Sequence, residues 1–170
     1  RDEMGVTNGA AAGPQADDDA VADPEVDLAT MLRVDAFVRG LAPPPRGPIT
    51  DEVREGERHF AALGCVSCHR PSLGVAGAAH VDGVYSDLLL HDMGPGLDAG
   101  LDDGPANARE WRTPPLWGLR WRPRLLHDER ASAPMAAIAA HGAEAAGASK
   151  RFFALTERQR AAVLAFLGSL

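Results

Sequence analysis

Lysine is nearly absent from this chain, with Lys150 alone among 170 residues. Tyrosine also occurs once, and cysteine only at positions 65 and 68. Two cysteines leave none over for a second task. No apolar run approaches the about 18 residues that a membrane span needs, and no leader peptide is visible. The sequence opens on Arg1 instead of methionine, which predicts a processed chain or a piece of a longer one. There is no internal repeat, no βαβ pattern and no credible strand pair. A later pair such as His-x-x-x-His is missing too.

Charge is unevenly spread. The net formal charge is −7. Residues 1–30 carry eight acids (Asp2, Glu3, Asp17, Asp18, Asp19, Asp23, Glu25 and Asp27) against Arg1 alone. The remainder is neutral by count, so the acidity belongs to an arm and does not describe the partner of a folded domain.

What is present centres on Gly64-Cys65-Val66-Ser67-Cys68-His69. Cys-x-x-Cys-His is the attachment signature of a c-type haem. Residues three and four apart share a face of a helical turn. Cys65 and Cys68 can both reach one porphyrin edge while His69 offers a ring nitrogen to the iron. A redox dithiol would need a βαβ setting, and a zinc site a second ligand pair. Neither is found. Covalent haem attachment predicts export to the periplasm or its equivalent.

Taken in order, residues 1–27 show no apolar period and read as an unstructured arm. Leu28, Met31, Leu32, Val34, Phe37, Val38 and Leu41 have helical spacing. Gly40 and Pro43-Pro44-Pro45 end that helix, and the prolines read as a stiff linker. A second helix starts near Thr50, with acids at 51 and 52 in its first turn. Its inner face is Val53, Gly56, Phe60 and Leu63, and it stops at Gly64. Residues 70–84 read as a Gly/Ala-rich loop with His80 at the surface. A third helix is expected from about Pro134 to Ala146. The last begins at the capping box Thr156-Glu157-Arg158-Gln159, with Val163, Phe166, Leu167 and Leu170 as its stripe. That stripe is expected to cross the Gly56/Phe60 face.

Residues 109–126 hold all three tryptophans among five arginines, and Pro114, Pro115 and Pro123 forbid a helix there. An Arg/Trp mix can bind nucleic acid, but a neutral domain with a haem motif makes a haem edge the more natural role. Aromatic and leucine side chains would cover the porphyrin while arginine pairs with its propionates. Arg112, Trp117 and Arg120 are the candidates.

Residues 49–170 resemble the C-terminal haem domain of the di-haem oxidoreductases, peroxidases allied to bacterial cytochrome c peroxidase and MauG. The resemblance rests on residues 63–70 around the haem motif, on Tyr85-Ser86-Asp87-Leu88-Leu89-Leu90-His91-Asp92-Met93-Gly94, and on Arg112-Thr113-Pro114-Pro115-Leu116-Trp117-Gly118-Leu119. Leu126-His127-Asp128, Ala137-Ile138 and His141-Gly142 continue it. The Met4-Gly5-Val6-Thr7-Asn8 start and the 28–45 helix look like the family's inter-domain segment. Two departures stand out. The family's other haem half is absent, and Glu129 stands where the family usually has glycine. The resemblance implies an all-α, cytochrome c-like haem domain with long loops over residues 49–170. An acidic arm, a helix and a linker over 1–48 precede it.

His69 takes one side of the iron. Candidates for the other are His141, Met93, His91, His127 and Met135. In the related peroxidases a methionine on the helix after the Thr-Pro and His-Asp segments holds this place, and His141 matches it, with Met93 as the alternative. The leading expectation is an electron-transfer cytochrome with one covalent haem c, working with a redox partner protein or a second haem domain. The others are the electron-feeding half of a di-haem peroxidase and a haem-bearing subunit of a larger redox complex.

Overall fold

The structure is a computed structural model that describes Thr7 and residues 23–74 and 80–170. Most of the expected unstructured arm, with the Met4–Asn8 start apart from Thr7, lies outside the described residues, as does part of the 70–84 loop. The chain divides into two compact units, Arg1–Pro43 and Pro44–Leu170.

In the first unit Thr7 is buried, donates its backbone N–H to the Glu25 carboxylate at 2.8 Å, and accepts the Val26 N–H on its carbonyl. Helix α1 (Leu28–Gly40) starts at Asp27, whose carboxylate accepts the Thr30 N–H at 2.7 Å. The expected apolar spacing is there, yet none of its residues is buried.

The second unit is built on two helices. In α2 (Asp51–Ala62) the Thr50 hydroxyl caps the first turn by accepting the Val53 N–H at 3.2 Å. In α5 (Glu157–Leu167) Thr156 and Gln159 exchange the two bonds of a capping box. The two helices cross as the residue pattern predicts. Val53, Gly56, Phe60 and Leu63 are buried against Val163, Phe166, Leu167 and Leu170. Phe60 and Phe166 meet with ring centroids 5.1 Å apart. Gly56 decides how close they come, because a Cβ there would sit 1.9 Å from the Ala162 carbonyl oxygen. The C-terminus is pinned back: Gly47 N–H donates to the Ser169 carbonyl at 2.7 Å and Gly118 N–H to that of Leu170 at 2.9 Å.

The domain is not all-α, which corrects the expectation from sequence. Besides the five helices, the described residues contain two small antiparallel sheets. One pairs β1 (Ser72–Leu73) with β2 (Val81–Asp82), and the other pairs β3 (Leu90–Asp92) with β4 (Glu110–Arg112). His91 opposes Trp111 in the second sheet. Strands of two or three residues are too short to show an alternating pattern. The partners β3 and β4 lie across a Gly-, Pro- and Asp-rich loop, so their pairing leaves no local trace.

The expected third helix is interrupted. Helix α3 (Pro134–Ala140) stops at His141, whose ψ of 102° is extended. A 3₁₀ turn over Ala143–Ala145 then leads into α4 (Ala146–Ala154). The break follows from close packing. Without a Cβ, Gly142 lies against the Met93 carbonyl, where a Cβ would be 2.6 Å from the oxygen. Gly94, at φ +80°, packs on Ala143. Sequence reading missed α4, which buries Ser149 and Phe152 and carries Arg151. The Arg151 guanidinium donates to the Leu63 carbonyl at 2.9 and 2.5 Å, tying α4 to the end of α2. Glu129 keeps its turn despite its side chain, at φ +59° with its N–H directed to the Leu126 carbonyl.

Candidate haem site

The end of α2 delivers the attachment motif. Gly64, at φ +83°, turns the chain out of the helix into a 3₁₀ turn over Cys65–Ser67. His69 N–H then donates to the Cys65 carbonyl at 2.9 Å. Both thiols are free and partly buried, and Cys65 packs against the core. Burial pushes the Cys65 thiol up to about 11, and burial with the Asp87 and Glu144 carboxylates raises Cys68. Neither is poised as a thiolate, which counts against a redox dithiol.

Opposite His69 stands His141, at the C-terminus of α3. Their ring centroids are 6.4 Å apart, with ring planes inclined at 40°. Each Nδ1 faces a backbone carbonyl and must therefore carry a proton. His69 donates to Tyr85 O at 3.1 Å and His141 to Ala137 O at 2.7 Å. That leaves Nε2 as the lone-pair nitrogen of both rings, the orientation that metal-bound imidazoles receive from their surroundings. Both rings are held neutral. Burial lowers His69 to about 4, the nearby His141 adds to this, and the Tyr85 carbonyl partly opposes it. Burial lowers His141 too. The separation suits one metal ion between two imidazoles. A metal–imidazole bond runs about 2 Å, and each nitrogen lies about 1 Å from its ring centre, so ligating rings stand about 6 Å apart. The residues present therefore fit a haem iron, with two thiols on the neighbouring turn.

The other histidine candidates are engaged elsewhere, and Met135 is turned outward. His91 is spent on carboxylates, with Nε2 at 2.9 Å from Asp87 and Nδ1 at 2.9 Å from Glu144. His127 stacks on Trp111 at 3.6 Å between ring centroids. Met135 is 42% exposed. Met93 is partly buried, and its carbonyl abuts Gly142, beside His141. Cys68, Asp87 and His91 bring ligand atoms within 4.8 Å of one another. A structural zinc site takes four protein ligands, and among the described residues this group has three.

The Arg/Trp segment is dispersed. Arg112 is exposed at the end of β4. Trp117 is half-buried. The Arg120 guanidinium lies 4.7 Å from the centre of the Trp121 ring, beside Gly47 and the carboxyl end of α5. Three groups important to the histidine pair escaped the sequence reading: Tyr85, which accepts from His69, Glu57, which accepts the Tyr85 hydroxyl at 2.5 Å, and Glu144. Their roles depend on apposition across 16 to 53 residues, and nothing local marks them.

A family model described as di-haem oxidoreductase, putative peroxidase, matches residues 10–170. The chain belongs to the di-haem oxidoreductase family. Haem binding and oxidoreductase chemistry come with that membership, in keeping with the geometry of the histidine pair. Comparison with curated proteins and with solved structures gave no match. No helix among the described residues is long and apolar enough to cross a membrane.

In this di-haem oxidoreductase domain the turn bearing His141 is stitched to β3 by Glu144, which accepts from His91 and from the Asp92 N–H at 3.0 Å. The hydrogen bond to Glu144 raises the His91 pKa, helped by Asp87. The hydrogen bond from His91 lowers Glu144. For Asp87, burial pushes upward but is outweighed by the Leu89 N–H and His91. A raised histidine stabilises fully below its unfolded value of about 6.5 and loses that contribution as pH rises through its folded value. The lowered carboxylates stabilise above their unfolded values of about 4 and lose it as pH falls. The clamp is therefore strongest between roughly pH 4.5 and 6.5. In melting curves taken from pH 5 to 9, His91→Gln is expected to abolish part of the wild-type decline above pH 6.5. Parallel curves for the two proteins would refute the clamp.

Proposed function

We propose that this domain is an exported c-type cytochrome unit that transfers electrons through one covalently attached, six-coordinate haem. The observation that carries the reading is the pair of neutral, partly buried imidazoles 6.4 Å apart, beside a Cys-x-x-Cys-His turn. Cys65 and Cys68 would hold the porphyrin as thioethers, each thiol adding across a vinyl group with its proton going to carbon. His69 and His141 would hold the iron through Nε2, the nitrogen that each Nδ1–H bond leaves free. Bound in this way, the haem accepts and returns one electron at a potential set by its ligands and its burial. Two protein ligands leave no open position for a small molecule, so the chain controls potential and access. Bis-histidine ligation favours a lower potential than His/Met. Trp117 is proposed to cover the porphyrin, and Arg112 and Arg120 to pair with its propionates.

A second reading is favoured by one specific fact. The family is di-haem by description, while this sequence has a single Cys-x-x-Cys-His motif. On that reading the domain feeds electrons to a haem held by another unit or subunit, where peroxide reacts. Rapid peroxide turnover by the isolated chain would speak against both readings.

The test is intact mass with a haemochrome spectrum, after expression with export and haem-attachment machinery. The wild type is expected to carry one haem mass. Cys65→Ala and Cys68→Ala are each expected to carry a single thioether at reduced yield, with a shifted haemochrome band, and the double variant no covalent haem. A colourless wild type with two titratable thiols would end the proposal.

A further inference from the structure

Tyr85 is a residue under constraint beside the motif. It is buried, at 3% exposure, and its φ of +48° lies in the left-handed region that a bulky side chain avoids. Something must hold it there. Its ring stands edge-on to Phe60 and Phe166, at 6.2 and 5.4 Å between centroids. Its hydroxyl donates to Glu57 Oε1 at 2.5 Å, and Arg46 approaches the same oxygen at 3.8 Å. Glu57 lies on α2, the helix that runs directly into Gly64 and the attachment turn. The main chain of Tyr85 performs a different task, since its carbonyl accepts the His69 Nδ1–H at 3.1 Å. One residue thus links α2, through its phenol, to the His69 ring, through its carbonyl.

We infer that Tyr85 and Glu57 are positioning residues that set the electron-donor strength of His69. The inference rests on the reading of His69 as an iron ligand. The carbonyl stays aimed at Nδ1 only while the strained backbone of Tyr85 is held, and the phenol–carboxylate bond holds it at the far end. A firm Nδ1–H bond to an acceptor makes the imidazole a stronger ligand. Stronger donation favours the ferric state and lowers the reduction potential. Freeing the phenol lets the backbone relax, lengthens the His69 bond and raises the potential. Neither side chain needs to touch the iron.

The experiment is potentiometric titration of the haem-loaded protein, with electron paramagnetic resonance of the ferric form. Tyr85→Phe keeps the aromatic packing and removes the hydroxyl. It is expected to raise the potential and shift the g values while the spectrum stays low-spin. Glu57→Leu should do the same, and the double variant no more than either alone. Glu57→Gln, which retains an acceptor oxygen, should stay close to wild type. The inference is overturned if Tyr85→Phe leaves potential and g values unchanged. It is also overturned if Glu57→Gln shifts them as much as Glu57→Leu, because the charge alone would then be responsible. A Tyr85→Phe protein too unstable to load is replaced by hydrogen exchange of the His69 ring N–H in Glu57→Leu, expected to speed up, with unchanged exchange counting against the link. A wild type without low-spin haem sinks the functional reading itself, before any variant is compared.

Discussion

On the proposed ligation by His69 and His141, replacing His141 with glycine is expected to turn a low-spin haem into a high-spin one that binds added imidazole. The prediction follows from the two rings' geometry. The His141 ring stands against His69, at 6.4 Å between centroids, with Nδ1 already bound and Nε2 left over. Under the proposed ligation, removing it would leave an iron held by His69 alone. The absorption bands of ferric high-spin haem and a loss of the low-spin resonance would report the change, and imidazole should reverse both. His141→Met should keep six-coordination in part and raise the potential, within the about 0.8 V range open to axial ligation. Met93→Leu is the contrasting variant. Met93 lies next to Gly142 through its backbone, so its loss should leave the spectrum low-spin. If Met93→Leu goes high-spin and His141→Gly does not, the ligand assignment is reversed.

The second large effect is structural. Gly56→Val is expected to destabilise the domain by about 3 kcal/mol or more, since overpacking at a fixed contact costs roughly this much. In a domain of this size that lowers the melting midpoint by roughly 10 °C. Ordinary overpacking is relieved by rotating a flexible neighbour. Here the added Cβ would meet Ala162 O at 1.9 Å, its carbon at 2.5 Å and Phe166 Cβ at 2.9 Å. Two of those atoms are backbone of α5, so the helices themselves must separate. Separation would pull Phe60 from Phe166 and move the end of α2, where Cys65 and His69 sit. A lower yield of attached haem and weakened ligation by His69 are therefore expected along with lost stability. Ala162→Gly should not rescue the variant, because the obstruction is the carbonyl and not the methyl group. A Gly56→Val protein that melts within about 2 °C of wild type would refute the close crossing.

The parts of this domain that were legible in the sequence are those whose chemistry is complete within a few residues. Cys65, Cys68 and His69 lie on one turn, so their spacing alone predicts a shared ligand. Thr50 caps the helix three residues on, and Thr156 and Gln159 bond each other. The Gly56/Phe60 face and the Val163/Phe166/Leu167 stripe repeat at helical period, which places both in a core and on each other. Those features need no knowledge of the chain's path.

What the tertiary structure decided is everything that joins distant segments. Met93 and His141 stood side by side as candidates because sequence spacing cannot say which is brought opposite His69. Gly142 against the Met93 carbonyl, together with Glu144 accepting the Asp92 N–H of β3, ends α3 at His141 and leaves that ring in place. The paired strands were invisible because two or three residues carry no alternation, and β3 and β4 are joined only by a long loop. The Tyr85 carbonyl on His69 was equally hidden, since every residue but proline carries the same backbone groups. Local pattern names the atoms able to bind; only long-range packing chooses which of them meet, because apposition is a property of the folded path and not of neighbours in the chain.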